Sequence, residues 1–341
     1  MLRLSSGLYG HAALARRRLI EARPAARRRL QGPVISVGNL RVGGSGKTPF
    51  TAWLAARLAA AGHRPAVLSR GYRRTAPTDE VVIVSDAVRV RAGVAASGDE
   101  PLMLAQMVPG AAVLVCADRY RAGRVAEADL GCTVHILDDG FQHLRLARTV
   151  DLVLLDEQDL HDRPLPAGRL REPLAALRSA DAILWAGDPG RLGEAAGATG
   201  VPSVFGLRRL AGPLQGQDGE VPGPGEPVLA LAAIAHPPRF FEELEGSGLE
   251  VRARLAFRDH HPYSAEDVER IHEAAAAHGA RWVVTTEKDL VRLAPLGPLP
   301  FRVASRPLEV SPSEPDVFWR WLAPKLGAAA GAAPPRGATV A

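Results

Sequence analysis

The sequence predicts an α/β protein: a doubly wound, mostly parallel sheet with a second, smaller C-terminal α/β domain. Three observations lead there. Short apolar, β-branched runs alternate with helical patterns through the first half of the chain. A glycine-rich segment joins one such run to an apolar-periodic stretch. Around residues 187–227 the composition shifts toward Gly, Pro and polar residues, after which Val228 opens a new apolar run.

The strands expected in the first unit are 34–37, 66–68, 81–84, 113–115, 132–137, 152–155 and 182–185. Helical patterns separate most of them, so the strands run parallel and ligands belong at their carboxyl ends. The expected organisation is a basic helix over 1–30, a core over 31–205, a linker over 206–227, a smaller domain over 228–325 and a disordered tail over 326–341.

Composition narrows the class. With 341 residues, 47% hydrophobic and 23% charged, the chain is neither disordered nor fibrous. Two cysteines, Cys116 and Cys132, exclude a disulfide framework and a cysteine-built zinc site. No stretch approaches the ~18 unbroken apolar residues of a spanning helix. The net charge is +5, but residues 1–30 hold eight arginines against Glu21, which is +7 and leaves −2 for the rest. The body is therefore not basic, and nucleic acid is not an expected partner. Lys47, Lys288 and Lys325 stand against 39 arginines, so a lysine that remains is one whose compact ammonium is needed.

In the arm, Leu4, Leu8, Ala12, Ala15 and Leu19 recur at helical spacing beside Arg16, Arg17 and Arg18, and Pro24 interrupts the helix. The arginine clusters follow a weak apolar segment, the reverse of a secretory signal. Two readings are open: a basic amphipathic helix on an anionic membrane surface, or a helix packed on the body with a solvated arginine face.

The glycine segment is the most informative. After Val34-Ile35-Ser36-Val37 and Gly38-Asn39-Leu40 come Arg41, Val42, Gly43, Gly44, Ser45, Gly46, Lys47 and Thr48, then Pro49 and a helical stretch. Strand, glycine loop and helix in this order form a P-loop of the NTPase type. Backbone N–H groups turn around phosphate oxygens, Lys47 reaches the β- and γ-phosphates, and the Thr48 hydroxyl serves Mg²⁺. Arg41 stands where a first Gly is usual. Val42 stands where metallochaperone and chromosome-partitioning ATPases carry Lys. A P-loop also needs an apolar strand ending in acid. Residues 132–137 followed by Asp138 and Asp139 supply it, and residues 152–155 followed by Asp156 offer a second possibility in which the Asp is equally a helix cap. The adjacent pair is preferred because it gives one acid for metal and one for a supporting role.

Polar clusters follow other strands: Ser69-Arg70-Gly71-Tyr72, Gly98-Asp99-Glu100-Pro101, Gly140-Phe141-Gln142-His143 and Leu170-Arg171-Glu172-Pro173. Asp99 alone reads as a helix cap. Together these clusters gather acids and arginines where a phosphorylated substrate would sit. In the second domain, Asp259-His260-His261 lacks a third metal ligand at sensible spacing, so a histidine orienting a carboxylate, or a turn, is expected. Lys288 bridges an acid within the domain or binds nucleotide.

Taken in order, Val37-Gly38-Asn39, Gly43 to Pro49, Ser69 to Tyr72, Gly98 to Pro101, Asp138 to His143, Leu170 to Pro173, Asp259-His260 and Thr286-Glu287-Lys288-Asp289 resemble the tetraacyldisaccharide 4′-kinase (lipid A 4′-kinase) family over about residues 30–325. A loop without the first Gly is a family trait. The resemblance implies a peripheral enzyme on the cytoplasmic face of a bacterial inner membrane. It would transfer the γ-phosphoryl of ATP to the 4′-hydroxyl of a tetraacylated glucosamine disaccharide 1-phosphate, with ATP and Mg²⁺ as cofactors and no obligate protein partner. It also implies that Lys47 binds phosphates, that Thr48, Asp138 and Asp139 serve Mg²⁺, and that Asp99 is the acid–base group with His260, or secondarily His261, beside it. A charged histidine there would keep Asp99 ionised. Arg70, Tyr72, Gln142, His143 and Arg171 are the expected substrate contacts. The competing class is a P-loop switch ATPase or GTPase such as a metallochaperone.

Overall fold

The structure, a computed structural model, describes residues 2–72, 74–216 and 218–330. Among these residues fourteen strands form two sheets. In chain order they are β1 (Val34–Asn39), β2 (Pro65–Ser69), β3 (Val82–Asp86), β4 (Ala112–Val115), β5 (Val134–Asp138), β6 (Val150–Leu155) and β7 (Ala182–Trp185). There follow β8 (Val204–Ala211), β9 (Gln215–Gly216), β10 (Pro227–Ala232), β11 (Glu250–Ala256), β12 (Trp282–Thr286), β13 (Arg302–Arg306) and β14 (Leu308–Pro312).

The larger sheet has the order β14-β8-β7-β6-β1-β5-β2-β4-β3. Its pairs are parallel from β8 to β4, and the edge strands β14 and β3 run antiparallel. Period-2 alternation fills both faces: Leu152 and Leu154 join one core with Phe50 and Leu54, while Val153 and Leu155 join another with Phe141 and Trp185. The smaller sheet, β11-β10-β12-β13-β9, is parallel except at β9. All seven runs expected in the first unit are strands.

The boundaries differ from those expected. Much of the expected linker is structured, with β8 in the large sheet and β9 in the small one. The last part of the expected C-terminal domain returns to the large sheet: β14 pairs with β8, and the helix Pro315–Ala330 packs there through Phe318, Leu322 and Leu326. Aromatic packing explains the return. Phe318 sits 5.2 Å from Phe205 and 6.1 Å from Phe50, ring centre to ring centre. The helix also takes in residues 326–330 of the expected tail; residues 331–341 lie outside the described part.

The N-terminal helix (Leu2–Glu21) buries Ser6, Gly10 and Arg17 against the body. Its apolar stripe turns outward: Leu4 and Leu8 are 80% and 75% exposed, and Leu19 is exposed too. That is the opposite of a helix packed by its apolar stripe beneath a solvated arginine face.

Gly38 lies on β1 where a Cβ would come 2.5 Å from the Phe141 Cβ and 2.7 Å from its backbone nitrogen. Gly38→Ala is therefore expected to destabilise by about 1–3 kcal/mol in denaturant unfolding. Gly193→Ala, helical with nothing within 4 Å of the added Cβ, should be neutral or stabilising by up to about 1 kcal/mol.

Candidate active site

A cleft of about 900 Å³ opens between the two sheets. Its walls come from segments that follow β1, β2 and β5 on one side and β10, β11 and β12 on the other. The carboxyl ends of parallel strands from both sheets thus face one space, where loops are free to carry polar groups.

The glycine loop leaves β1 at Asn39 and ends where the helix Lys47–Ala60 begins. Gly43 and Gly46 have φ of 101° and 86°, a region that side chains disfavour. No atom lies within 4 Å of where a Cβ on Gly43 or Gly44 would point, so this stretch of backbone is open to a ligand. Lys47 Nζ donates to Asn39 Oδ1 at 2.9 Å and lies 3.5 Å from Asp139 Oδ1. Arg41, expected among the nucleotide contacts, lines the cleft, and its buried guanidinium is engaged by neighbouring groups. It pairs with Asp156 at 2.5 Å and Asp159 at 3.3 Å and donates to the Gly44 carbonyl. Its side chain thereby braces the loop, because a buried cation must find acids. Asp156 also caps the helix Glu157–His161, which removes it from the candidate metal acids.

Asp138 and Asp139 sit in contrasting environments. Asp139, at φ 51°, accepts both terminal nitrogens of Arg171 at 2.7 Å. Burial works against its charge, yet Lys47 and Arg171 hold it well below the usual carboxylate range. Asp138 is buried and has a long 3.5 Å hydrogen bond from Thr51 Oγ1. Burial, with Glu100 and Asp139 nearby, pushes it up to about 7. Asn39 joins the two cations: its Oδ1 accepts from Lys47 and, at 2.5 Å, from Arg171. Thr48 and Asp138 line the cleft as hard oxygen donors short of partners, and Asp139 is already saturated. Among the described residues no group of three His, Cys, Asp or Glu could hold an ion unaided. This donor set suits Mg²⁺, which takes one or two carboxylates and fills its shell with phosphate oxygens and water.

Asp99 begins the helix Asp99–Met107, next to the cleft-lining Glu100, and is buried. Its Oδ2 accepts from Arg292 Nε at 2.8 Å and Nη2 at 2.5 Å, and meets His260 Nδ1 at 3.0 Å. Its Oδ1 accepts from the Glu100 backbone at 2.9 Å. Lys288 Nζ lies 3.1 Å from His260 Nε2 and 2.9 Å from Glu100 Oε1. The ionised Asp99 carboxylate only accepts, so His260 Nδ1 donates to it, and Arg292 Nη2 lies 3.3 Å from the same nitrogen. His260 is thus the histidine beside Asp99, and Lys288 and Arg292 bring further positive charge to the same cluster. Burial opposes the ionised form of Asp99, but the His260 hydrogen bond and these two cations hold it well below the usual range. His260, at φ 59°, is held in a conformation uncommon for a side-chain-bearing residue. His261 is not the partner. Its Nε2 meets Asp267 Oδ2 at 2.9 Å and its ring stacks 4.6 Å from Phe257, so it supports the following turn and helix.

Arg70, Tyr72, Gln142, His143 and Arg171 all line the cleft. Gln142 donates to the Asn39 carbonyl and to Glu172, which ties it into the phosphate side. Burial, with Arg119 and Arg148 nearby, pushes His143 down to about 4. Four residues escaped the sequence reading: Asn39, Arg119, Arg292 and the Arg17–Glu172 pair's arginine. The signal for Arg292 was its place one helical turn after Lys288. Arg119 lines the cleft, is buried, and has no hydrogen-bond partner for Nε among the described residues.

Comparison with known proteins places the chain. A family profile described as "LpxK: Tetraacyldisaccharide-1-P 4'-kinase" matches residues 1–327. A tetraacyldisaccharide 4′-kinase of Geobacter sulfurreducens is 41% identical over 326 residues, covering 92% of this chain and 90% of the relative. One of Koribacter versatilis is 42% identical over 298 residues, covering 85% and 88%. The crystal structure of "apo" form LpxK from Aquifex aeolicus in complex with ATP superposes with a TM-score of 0.77 at 33% identity, covering 94% of this chain and 97% of that one.

Removing Arg292 should release the Asp99 carboxyl. In Arg292→Gln its titration, followed by carbon NMR, is expected to move upward toward the ordinary value of about 4. An unmoved midpoint would show that Arg292 does not set this charge.

Proposed function

The chain belongs to the tetraacyldisaccharide 4′-kinase family, and from that premise we propose how its residues carry out ATP-dependent phosphorylation of the 4′-hydroxyl of tetraacyldisaccharide 1-phosphate. The observation that supports the reading is the presence of two polar networks at one cleft. Asn39, Lys47, Arg171 and Asp139 form the phosphate side. Asp99, His260, Arg292 and Lys288 form the hydroxyl side.

ATP lies with its phosphates on the loop 43–48, where open glycine backbone and the N-terminus of the helix Lys47–Ala60 favour negative charge. Lys47 follows the charge that gathers on the transferred group. Thr48 and Asp138 would hold Mg²⁺, which when bound neutralises phosphate charge. Asp139 keeps Lys47 and Arg171 aligned. Asp99 accepts a hydrogen bond from the 4′-hydroxyl and takes its proton. Its weak basicity suits a loose transition state, in which the hydroxyl proton departs late and orientation matters more than base strength. His260 fixes the carboxylate through Nδ1–H. Arg70 and Arg119 give the anionic acceptor a positively charged seat; burial, with Arg70 nearby, lowers the Arg119 guanidinium to about 10.

The membrane surface is the proposed workplace. No described helix is long and apolar enough to cross a membrane. The exposed stripe of Leu4, Leu8 and Leu19, flanked by arginines, suits shallow insertion at an anionic surface. A lipid acceptor would be presented there, and the cytoplasmic face supplies ATP.

The test is phosphoryl transfer from labelled ATP, with Mg²⁺, to detergent-dispersed tetraacyldisaccharide 1-phosphate. Label is expected on the lipid. Asp99→Ala should lower turnover at least ~100-fold with nucleotide binding largely retained. Wild-type turnover in that variant would remove Asp99 from the proton transfer, and lipid-independent ATP hydrolysis would favour a switch ATPase.

A further inference from the structure

The N-terminal helix contains one residue that membrane attachment does not require. Arg17 is 1% exposed, although it stands in a run of three arginines. Its Nε donates to Glu172 Oε1 at 2.9 Å and its Nη2 to Glu172 Oε2 at 2.6 Å. The same Nη2 donates to the Phe141 carbonyl at 2.9 Å, and the guanidinium carbon lies 4.0 Å from the centre of the Phe141 ring. One planar group therefore makes a two-pronged ion pair, a backbone hydrogen bond and a ring contact. A lysine could not make all three.

The two segments it grips are those that build the phosphate side. Glu172 follows Arg171, and Phe141 lies two residues after Asp139. Arg171 and Asp139 pair at 2.7 Å and face Lys47. Gln142 links the same pieces by donating to Glu172 Oε2 and to the Asn39 carbonyl. The helix is also seated by Leu14, which packs against the core cluster that holds Phe141 and Trp185, by Ser6 Oγ donating to the Pro164 carbonyl, and by Gly10, which gives it room beside Pro164.

We propose that Arg17 is a positioning residue for phosphoryl transfer: the N-terminal helix sets the Asp139–Arg171 pair through Arg17, in addition to attaching the protein to lipid. The proposal rests on the kinase reading above. The helix that meets the membrane and the loop that meets ATP are then one mechanical unit. The chain of contacts runs from Arg17 to Glu172 and Phe141, then to Arg171 and Asp139, then to Lys47.

The experiment measures kcat and KM of Arg17→Gln and Arg17→Lys with labelled ATP and detergent-dispersed tetraacyldisaccharide 1-phosphate, well below each variant's unfolding temperature. Active sites are counted by nucleotide binding. Detergent dispersal removes membrane attachment from the rate. Both variants are expected to lose at least ~10-fold in kcat per nucleotide-binding site, because small misplacements of reacting groups cost rate steeply. Both KM values should stay within about 2-fold, and binding to anionic vesicles should be unchanged. Wild-type kcat in the folded variants overturns the proposal. So does a loss that vanishes once folded sites are counted, or failure of both variants to fold, since each makes Arg17 a matter of stability alone. If wild-type protein transfers no label, the kinase reading itself fails, and that result is distinct from transfer that is indifferent to Arg17.

Discussion

One buried carboxylate holds the two halves of the site together. Asp99 belongs to the large-sheet unit, while Arg292, His260 and Lys288 come from the segments around the small sheet. Removing an ionised carboxylate from water costs several kcal/mol. The cost is offset because Oδ2 meets a forked guanidinium and an imidazole N–H while Oδ1 accepts a backbone amide. The same contacts that make the charge tolerable fix its direction and join the two walls of the cleft. Asp99 at the first position of its helix adds a favourable dipole.

The phosphate side repeats the principle with different partners. Asp139 is neutralised by Lys47 and Arg171, and Asn39 connects them. Asp138, one residue away, has almost none of this support. Two neighbouring acids thus take different states from their surroundings, one spent on holding cations and one left facing the cleft. A kinase of this kind does little covalent chemistry of its own. It needs charges held still on either side of a transferring group, and both walls supply them from side chains already locked by hydrogen bonds.

Much of this was legible in the sequence. The strand–glycine loop–helix order and the acid pair after β5 followed from local motifs whose chemistry demands particular residue types, and the pairing of Asp99 with His260 followed from the family resemblance. What stayed hidden depends on long-range contacts. Arg17 and Glu172 are 155 positions apart, and nothing local distinguishes Arg17 from Arg16 or Arg18. Arg41 lies next to the phosphate loop in sequence, but its pairing with Asp156 and Asp159 was hidden because those acids lie more than a hundred positions away. The return of β14 and its helix to the large sheet rests on Phe205 and Phe318 meeting Phe50, a cluster with no periodic signature. The outward apolar stripe of the first helix had the right spacing, but spacing cannot say which face a helix turns inward.

The account stands or falls on Asp99 and His260 acting as one unit across the cleft. A double-mutant cycle on single-turnover phosphoryl transfer, with Asp99→Asn, His260→Gln and the double variant at saturating ATP, measures this most directly. Coupling predicts strong non-additivity: the double variant should be little slower than Asp99→Asn alone. Losses that simply multiply would show that the two residues act independently, and the hydroxyl side of the site would need another explanation.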